Sequence, residues 1–186
     1  MEILTPVETR LKKEFMLPSE LAKQEYSSFN ATYINALEEV SLIEGLENGL
    51  NQMVSFISAI PDEKLEYRYA DNKWTIKDIV LHLIDAERIF AYRALRIGRG
   101  DTTPLAGFEE NDYVPNAVAN SRTSESLLEE FQLVRKSTLC LFNNFSDERL
   151  LYLGTASDHV ISVRAIGFVI SGHQTHHLRI IQERYL

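Results

Sequence analysis

What the sequence has little of narrows its possible roles. Among 186 residues there is one cysteine, Cys140, so no intrachain disulfide can form. It lies between Leu139 and Leu141 in a helical pattern and reads as a small buried core residue rather than a catalytic thiol. No apolar run approaches the roughly 20 residues needed to cross a bilayer, and residues 1–6 lack the basic and apolar regions of a signal peptide. The expectation is a cytoplasmic protein with no membrane partner. Eight glycines and five prolines form no linker or low-complexity tract, and no internal repeat is present. Basic residues are outnumbered by acids, 19 against 27, for a formal net charge of −8. Such a chain repels phosphate backbones, and no basic stripe interleaved with aromatics offsets that, which excludes nucleic acid as a partner.

What is present is a 45% hydrophobic, 25% charged chain, the profile of one globular domain over residues 1–186. Four segments carry helical rather than alternating periodicity, which predicts an all-α class. The first opens with Ser41 and Glu44, a capping-box pattern, and runs through Ile43, Leu46, Leu50, Met53, Ile57 and Ile60 to Pro61. The second starts at Thr75, with Asp78 placed to complete a similar cap, and carries Ile79, Leu83, Ala86, Phe90 and Ile97 until Gly98 and Gly100. The third covers about 124–145, with Leu127, Phe131, Val134, Thr138, Leu141 and Phe145 on one face. The fourth starts near Ser162 and reaches almost to Leu186. Four amphipathic rods of about 20 residues, on the order of 30 Å each, bury their stripes most simply in a four-helix bundle. Residues 98–123 form a long crossover between helices two and three, suited to covering a pocket. Residues 1–40 are expected to form an N-terminal arm, or short helices packed on the bundle.

Three of the five histidines fall in one helical turn, Gly172-His173-Gln174-Thr175-His176-His177. The core register Ile166, Ile170, His173, His177, Ile180, Arg184 places two imidazoles in the seam. A buried polar group without a partner costs roughly 1–3 kcal/mol, so two stacked there call for something that satisfies them. Residues at i and i+4 point the same way and can share one ion at about 2.0–2.1 Å. His82, on the edge of the inward stripe of the second helix, supplies a third ligand if helices two and four are antiparallel neighbours. His176 competes with His177, being within reach of His173 at i+3. His159, beside Asp158 in the loop before the fourth helix, reads as a loop residue or a support to the site.

The run Lys73-Trp74-Thr75-Ile76-Lys77-Asp78-Ile79-Val80-Leu81-His82, continued by Leu83-Ile84-Asp85-Ala86-Glu87, is followed much later by Val163-Arg164-Ala165 and Gly172-His173-Gln174-Thr175-His176-His177. Together these resemble the DinB-like (YfiT-like) superfamily of metal-dependent hydrolases and thiol S-transferases. The resemblance implies an up-down-down-up bundle with the long crossover after helix two. It also implies a metal held by His82, His173 and His177, and frequent dimerisation, here as a homodimer. The family name carries no implication of a DNA polymerase.

Three neutral imidazoles leave an ion its full charge and an open position, the arrangement of catalytic rather than structural zinc sites. A bound water brought to a pKa of about 7, or a low-molecular-weight thiol held as thiolate, would serve as nucleophile toward a small-molecule substrate. Zinc is the first expectation and nickel the second, with iron open. Asp78 and Asp85 stand one turn either side of His82 and are the candidates to orient an imidazole or take up a proton, although Asp78 also fits the Thr75 cap. Arg164 and Arg184 are candidate cations for an acidic substrate, against plain surface solvation. The alternative function is a non-catalytic metal-binding or stress-related bundle.

Overall fold

The computed structural model describes residues 16–186; the first fifteen residues of the expected arm lie outside the described residues. In chain order the elements are α1 (Ser28–Ile34), α2 (Leu42–Ser58), α3 (Asp62–Leu65), α4 (Ile76–Gly98), α5 (Glu110–Ala117), α6 (Ser124–Asn143), α7 (Asp147–Leu150), β1 (Leu153–Ala156), β2 (His159–Ser162) and α8 (Val163–Arg184), with short 3-10 turns at Pro18–Glu20, Lys23–Glu25 and Ala119–Ser121. The four long helices are those read from the periodicity, and they form the bundle.

α4 packs against α6 and α8, and α2 packs against the same two helices, so the consecutive helices α2 and α4 face each other across the diagonal. Two apolar clusters fix the directions. One joins Leu42 and Leu46 of α2 to Ala94 and Ile97 of α4, Phe142 of α6 and Ile166 of α8. The other joins Met53 and Ile57 of α2 to Ile76 and Ile79 of α4, Leu127 of α6 and Leu178 and Ile181 of α8. α2 and α8 therefore run from the first cluster to the second and α4 and α6 run back, which is the up-down-down-up arrangement. α4 and α8 are antiparallel neighbours.

Between the clusters lies a polar layer built on Arg135, 1% exposed. Its Nε and Nη2 donate to the two carboxylate oxygens of Glu87 at 2.8 and 2.9 Å, and Nη2 also donates to Gln174 Oε1 at 2.9 Å. Nη1 donates to the Leu46 carbonyl at 3.0 Å, and Gln174 Nε2 donates to the Gly49 carbonyl at 2.7 Å. All four bundle helices meet in this network. Position 49 has no room for a side chain, since a Cβ there would stand 2.8 Å from Arg135 Nη1.

Arg135 also explains where the expected face of the third helix departs from the observed one. The buried residues of α6 include Phe131, Arg135, Thr138 and Phe142, spaced four, three, four, and the seam continues to Phe145. A search for apolar residues alone steps over the arginine and selects Val134 and Leu141, which are only partly buried. Cys140 is exposed, not a core residue, because that seam turns the 140 position outward. At the end of α8 the core positions are Ile181 and Tyr185 rather than Ile180 and Arg184, the drift expected where a straight helix of 3.6 residues per turn departs from a strict seven-residue repeat.

The Thr75–Asp78 capping box forms: Asp78 Oδ2 accepts from the Thr75 N–H at 2.9 Å and Thr75 Oγ1 accepts from the Asp78 N–H at 3.0 Å. Asn120 ties the crossover to it, donating to Asp78 Oδ1 at 3.1 Å and accepting from Thr75 Oγ1 at 2.9 Å. The box expected at Ser41 does not form; Ser41 is the N-cap of α2 but its side chain accepts no capping bond, and Glu44 is exposed.

Residues 153–162, expected as loop, form an antiparallel hairpin with Ala156 paired to His159. The turn residues Ser157 and Asp158 have φ of 50° and 63°, the positive values of a primed two-residue turn that matches strand twist. Before the bundle, α1 lies on α8, where a Cβ on Gly172 would come within 2.3 Å of the Tyr33 carbonyl oxygen. Glu25 secures the same segment, accepting from Arg164 Nε at 2.8 Å and from Ser162 Oγ at 2.7 Å. No helix among the described residues is long and apolar enough to cross a membrane.

Candidate metal centre

The antiparallel contact of α4 and α8 brings His82 against the His173 and His177 pair. His82 Nε2 stands 3.1 Å from His173 Nε2, and His177 Nε2 stands 3.0 Å from the same atom. The candidate ligand atoms of all three lie within 4.8 Å of one another, and this is the one such group of three found among the described residues. Three nitrogens each about 2.0–2.1 Å from a common ion would be separated by about 3 Å.

The chemistry of the donors fits a cation. A neutral imidazole nitrogen carries either one proton or one lone pair in the ring plane, so His173 Nε2 cannot make two well-formed hydrogen bonds to two like neighbours. His177 Nδ1 is buried with no hydrogen-bond partner, which costs about 1–3 kcal/mol; binding an ion through Nε2 would offset that cost. Burial pushes the pKa of His82 down to about 4. Burial, with the neighbouring charges of His82 and His176, pushes His177 down to about 3. His173 is held well below the ordinary range, by burial first and then by His177, His82 and His176. All three are therefore neutral at pH 7, with lone pairs ready for a metal.

These shifts set a pH dependence of stability for the metal-free protein. Unfolded imidazoles take up protons near pH 6.5, whereas the folded site refuses them until about pH 4 and below. Between those values the unfolded chain binds more protons, so stability falls as the pH drops from 6.5 toward 4 and is fully regained above 6.5. Denaturant melts of chelator-treated protein should give a lower midpoint at pH 5 than at pH 7.5, and replacing His82 and His177 by glutamine should flatten the difference. Equal midpoints in the wild type would overturn the burial account.

Aromatic rings hold the imidazoles in place. Trp74 tilts against His82 with centroids 4.9 Å apart and lies parallel to His177 at 6.4 Å. Its own carbonyl accepts from Tyr185 Oη at 2.7 Å. Tyr33 of α1 meets His173 edge-on at 5.1 Å and His176 at 5.5 Å, and Phe90 meets His173 at 6.0 Å. His176 is thus outside the three-histidine group and lines the adjoining cavity. His159 lies on β2 and lines the same cavity.

The two carboxylates beside His82 differ. The oxygens of Asp78 are occupied by the α4 cap and by Asn120, and Arg68 lies 3.3 Å away. Asp85 shares a small recess with His82 and Asp78. Burial raises its pKa, Arg88 lowers it and Glu130 raises it again, for a net rise.

The imidazoles line a cavity of about 340 Å³ whose walls include Tyr33, Trp74, Phe90, Arg93 and Phe108, within the range of small-molecule sites. Sequence reasoning missed most of this wall. Tyr33 lies in the segment read as an arm, and nothing in its spacing announces a contact with α8. Of the candidate arginines, Arg164 is engaged by Glu25 and Arg184 is exposed near the end of α8; the cavity takes Arg93 instead.

The structure is similar to that of YfiT from Bacillus subtilis, described as a probable metal-dependent hydrolase with an unusual four-helix bundle topology, at a TM-score of 0.70 and 16% sequence identity, over 94% of this chain and 95% of that one. No curated protein matches. The family model described as DinB superfamily matches residues 46–181, a span that contains α4, α8 and the three clustered histidines, and the chain belongs to the DinB superfamily.

Proposed function

We propose that this protein is a metal-dependent hydrolase of small molecules, with His82, His173 and His177 as ligands of one divalent transition metal, zinc first and nickel second. The observation that carries the reading is the contact of three neutral imidazoles through their Nε2 atoms, two buried and one half-buried, on the wall of a cavity large enough for a substrate. When bound, such an ion acts as a Lewis acid and lowers the pKa of a coordinated water or thiol toward neutrality.

The chain's own groups supply the rest. Asp85, raised by burial and sharing a recess with His82, is the proton acceptor of the proposed reaction. Asp78 positions His82 through the cap of α4. Trp74 and Tyr33 pack against the imidazoles and fix their planes. A structural metal site would close its ligand sphere with a fourth protein donor; three donors facing a cavity favour catalysis over a non-catalytic or stress-related bundle. The description of YfiT as a probable metal-dependent hydrolase favours hydrolysis. Transfer of a low-molecular-weight thiol is the second reading, since an ion held by the same ligands would favour a thiol as thiolate. A homodimer belongs to the same proposal.

Screening metal-reconstituted protein against aryl esters, amides and an aryl halide, with and without glutathione, bacillithiol and mycothiol, separates these readings. Ester or amide turnover that is unchanged by thiol is the expected result. Turnover only in the presence of a thiol would replace hydrolase by transferase, and no turnover in either condition would favour the non-catalytic bundle.

A further inference from the structure

Among the described residues Arg93 is the Lys or Arg side chain that lines the cavity, and the metal reading has no use for it. It is 7% exposed, and a guanidinium so far from water is expected to face an acid. Among the described residues it faces none. Its Nη2 donates to the Ala106 carbonyl at 2.8 Å and to Ser157 Oγ at 2.9 Å, both neutral acceptors, and its Nε and Nη1 donors make no hydrogen bond among the described residues. Phe90 and Phe108 lie near its carbon centre, with centroids 5.9 and 6.0 Å away. Burial lowers the pKa of this group, the direction of a cation whose charge is not met.

The placement is directional. Arg93 follows His82 by eleven residues on α4, three turns and about 16 Å of axis, and so returns to nearly the same face. His82, Ala86, Phe90 and Arg93 all line the cavity, which makes this stripe of α4 one continuous wall from the imidazoles to the guanidinium. Among the described residues the one acid on the cavity is half-buried Glu110, and it acts on the histidine side: its charge, after burial, raises the pKa of Tyr33, the ring that rests on His173.

We propose that Arg93 is the carboxylate-binding end of the cavity, and that the substrate is a small monocarboxylate with an apolar body. Its carboxylate pairs with the Nε and Nη1 donors of Arg93, its body lies along Phe90, and its reacting group reaches His82, His173 and His177. Glu110 disfavours a second negative charge near the histidines, which selects against dicarboxylates. This assignment rests on the metal-site reading for the reacting end and stands on Arg93 alone for the carboxylate end.

The test is calorimetric binding to the full-length, metal-loaded protein of phenylacetate, 4-phenylbutyrate and hexanoate, each beside its primary amide. A charge-assisted contact of this kind predicts that carboxylates bind about 10- to 100-fold tighter than their amides. That preference should vanish in Arg93→Gln, survive in part in Arg93→Lys, which keeps the charge and controls for misfolding, and persist in His173→Ala. No preference in any pair, or one that survives Arg93→Gln, overturns the proposal. So does a preference lost in His173→Ala and kept in Arg93→Gln, which would place the carboxylate on the ion. A His173→Ala protein that still holds its metal would refute the metal-site reading separately, while the amide comparison continues to judge Arg93.

Discussion

Purified with zinc or nickel in the medium, the wild-type protein should carry about one divalent ion per chain, and His173→Ala should carry almost none. His173 is the shared neighbour, since its Nε2 lies 3.1 Å from that of His82 and 3.0 Å from that of His177. Without it two imidazoles from different helices remain. Loss of groups that merely support metal ligands costs 10- to 100-fold in affinity, so loss of the central ligand should weaken binding by at least about a hundredfold. Elemental analysis, with competitive titration against a chromophoric chelator, reads this directly. His176→Ala is the internal control: its ring touches Tyr33 and His177 but lies outside the three-histidine group, and its metal content should stay near wild type. Equal metal in wild type and His173→Ala would remove the site.

The second large effect concerns stability. Arg135→Met leaves Glu87, 3% exposed, as a buried carboxylate without its bidentate partner, and Gln174 Oε1 without its donor. Breaking a buried pair by removing one member costs about 3–5 kcal/mol. For a chain of this size each kcal/mol shifts the melting temperature by about 2–4 °C, so a fall of about 10 °C is expected. Glu87→Gln should be milder, because an amide oxygen still accepts from the guanidinium. The double change Arg135→Met with Glu87→Leu should recover a large part of the loss, because replacing both members leaves no uncompensated charge. Additive losses in the double variant, measured by chemical denaturation, would show that packing volume rather than charge pairing sets the cost.

The contrast between these two centres explains what could be read from the sequence. The metal candidates were legible because His173 and His177 interrupt an otherwise apolar seam at a spacing of four, and because His82 sits beside the inward stripe of α4. The four bundle helices were legible for the same reason, and the Thr75 cap because its two residues satisfy each other locally. The Arg135 network has no such local mark. Its arginine occupies a seam position by virtue of partners 39, 48 and 89 residues away, and periodicity carries no information about partners at that distance. The hairpin escaped notice because Ser157 and Asp158 take positive φ without the glycine or asparagine that usually announces it. Tyr33 and Arg93 became visible as cavity residues only once α1 and the crossover were laid over the bundle.

That overlay divides the site between two parts of the chain. The histidines come from α4 and α8, inside the span matched by the family model, whereas Tyr33 comes from α1, ahead of it. α1 approaches α8 most closely at Gly172, one residue before His173, where a Cβ would meet the Tyr33 carbonyl. Exchanging the tile that α1 lays across the vestibule would therefore reshape the entrance and the ring that rests on His173, while α4 and α8, which carry the three clustered histidines, keep their own packing.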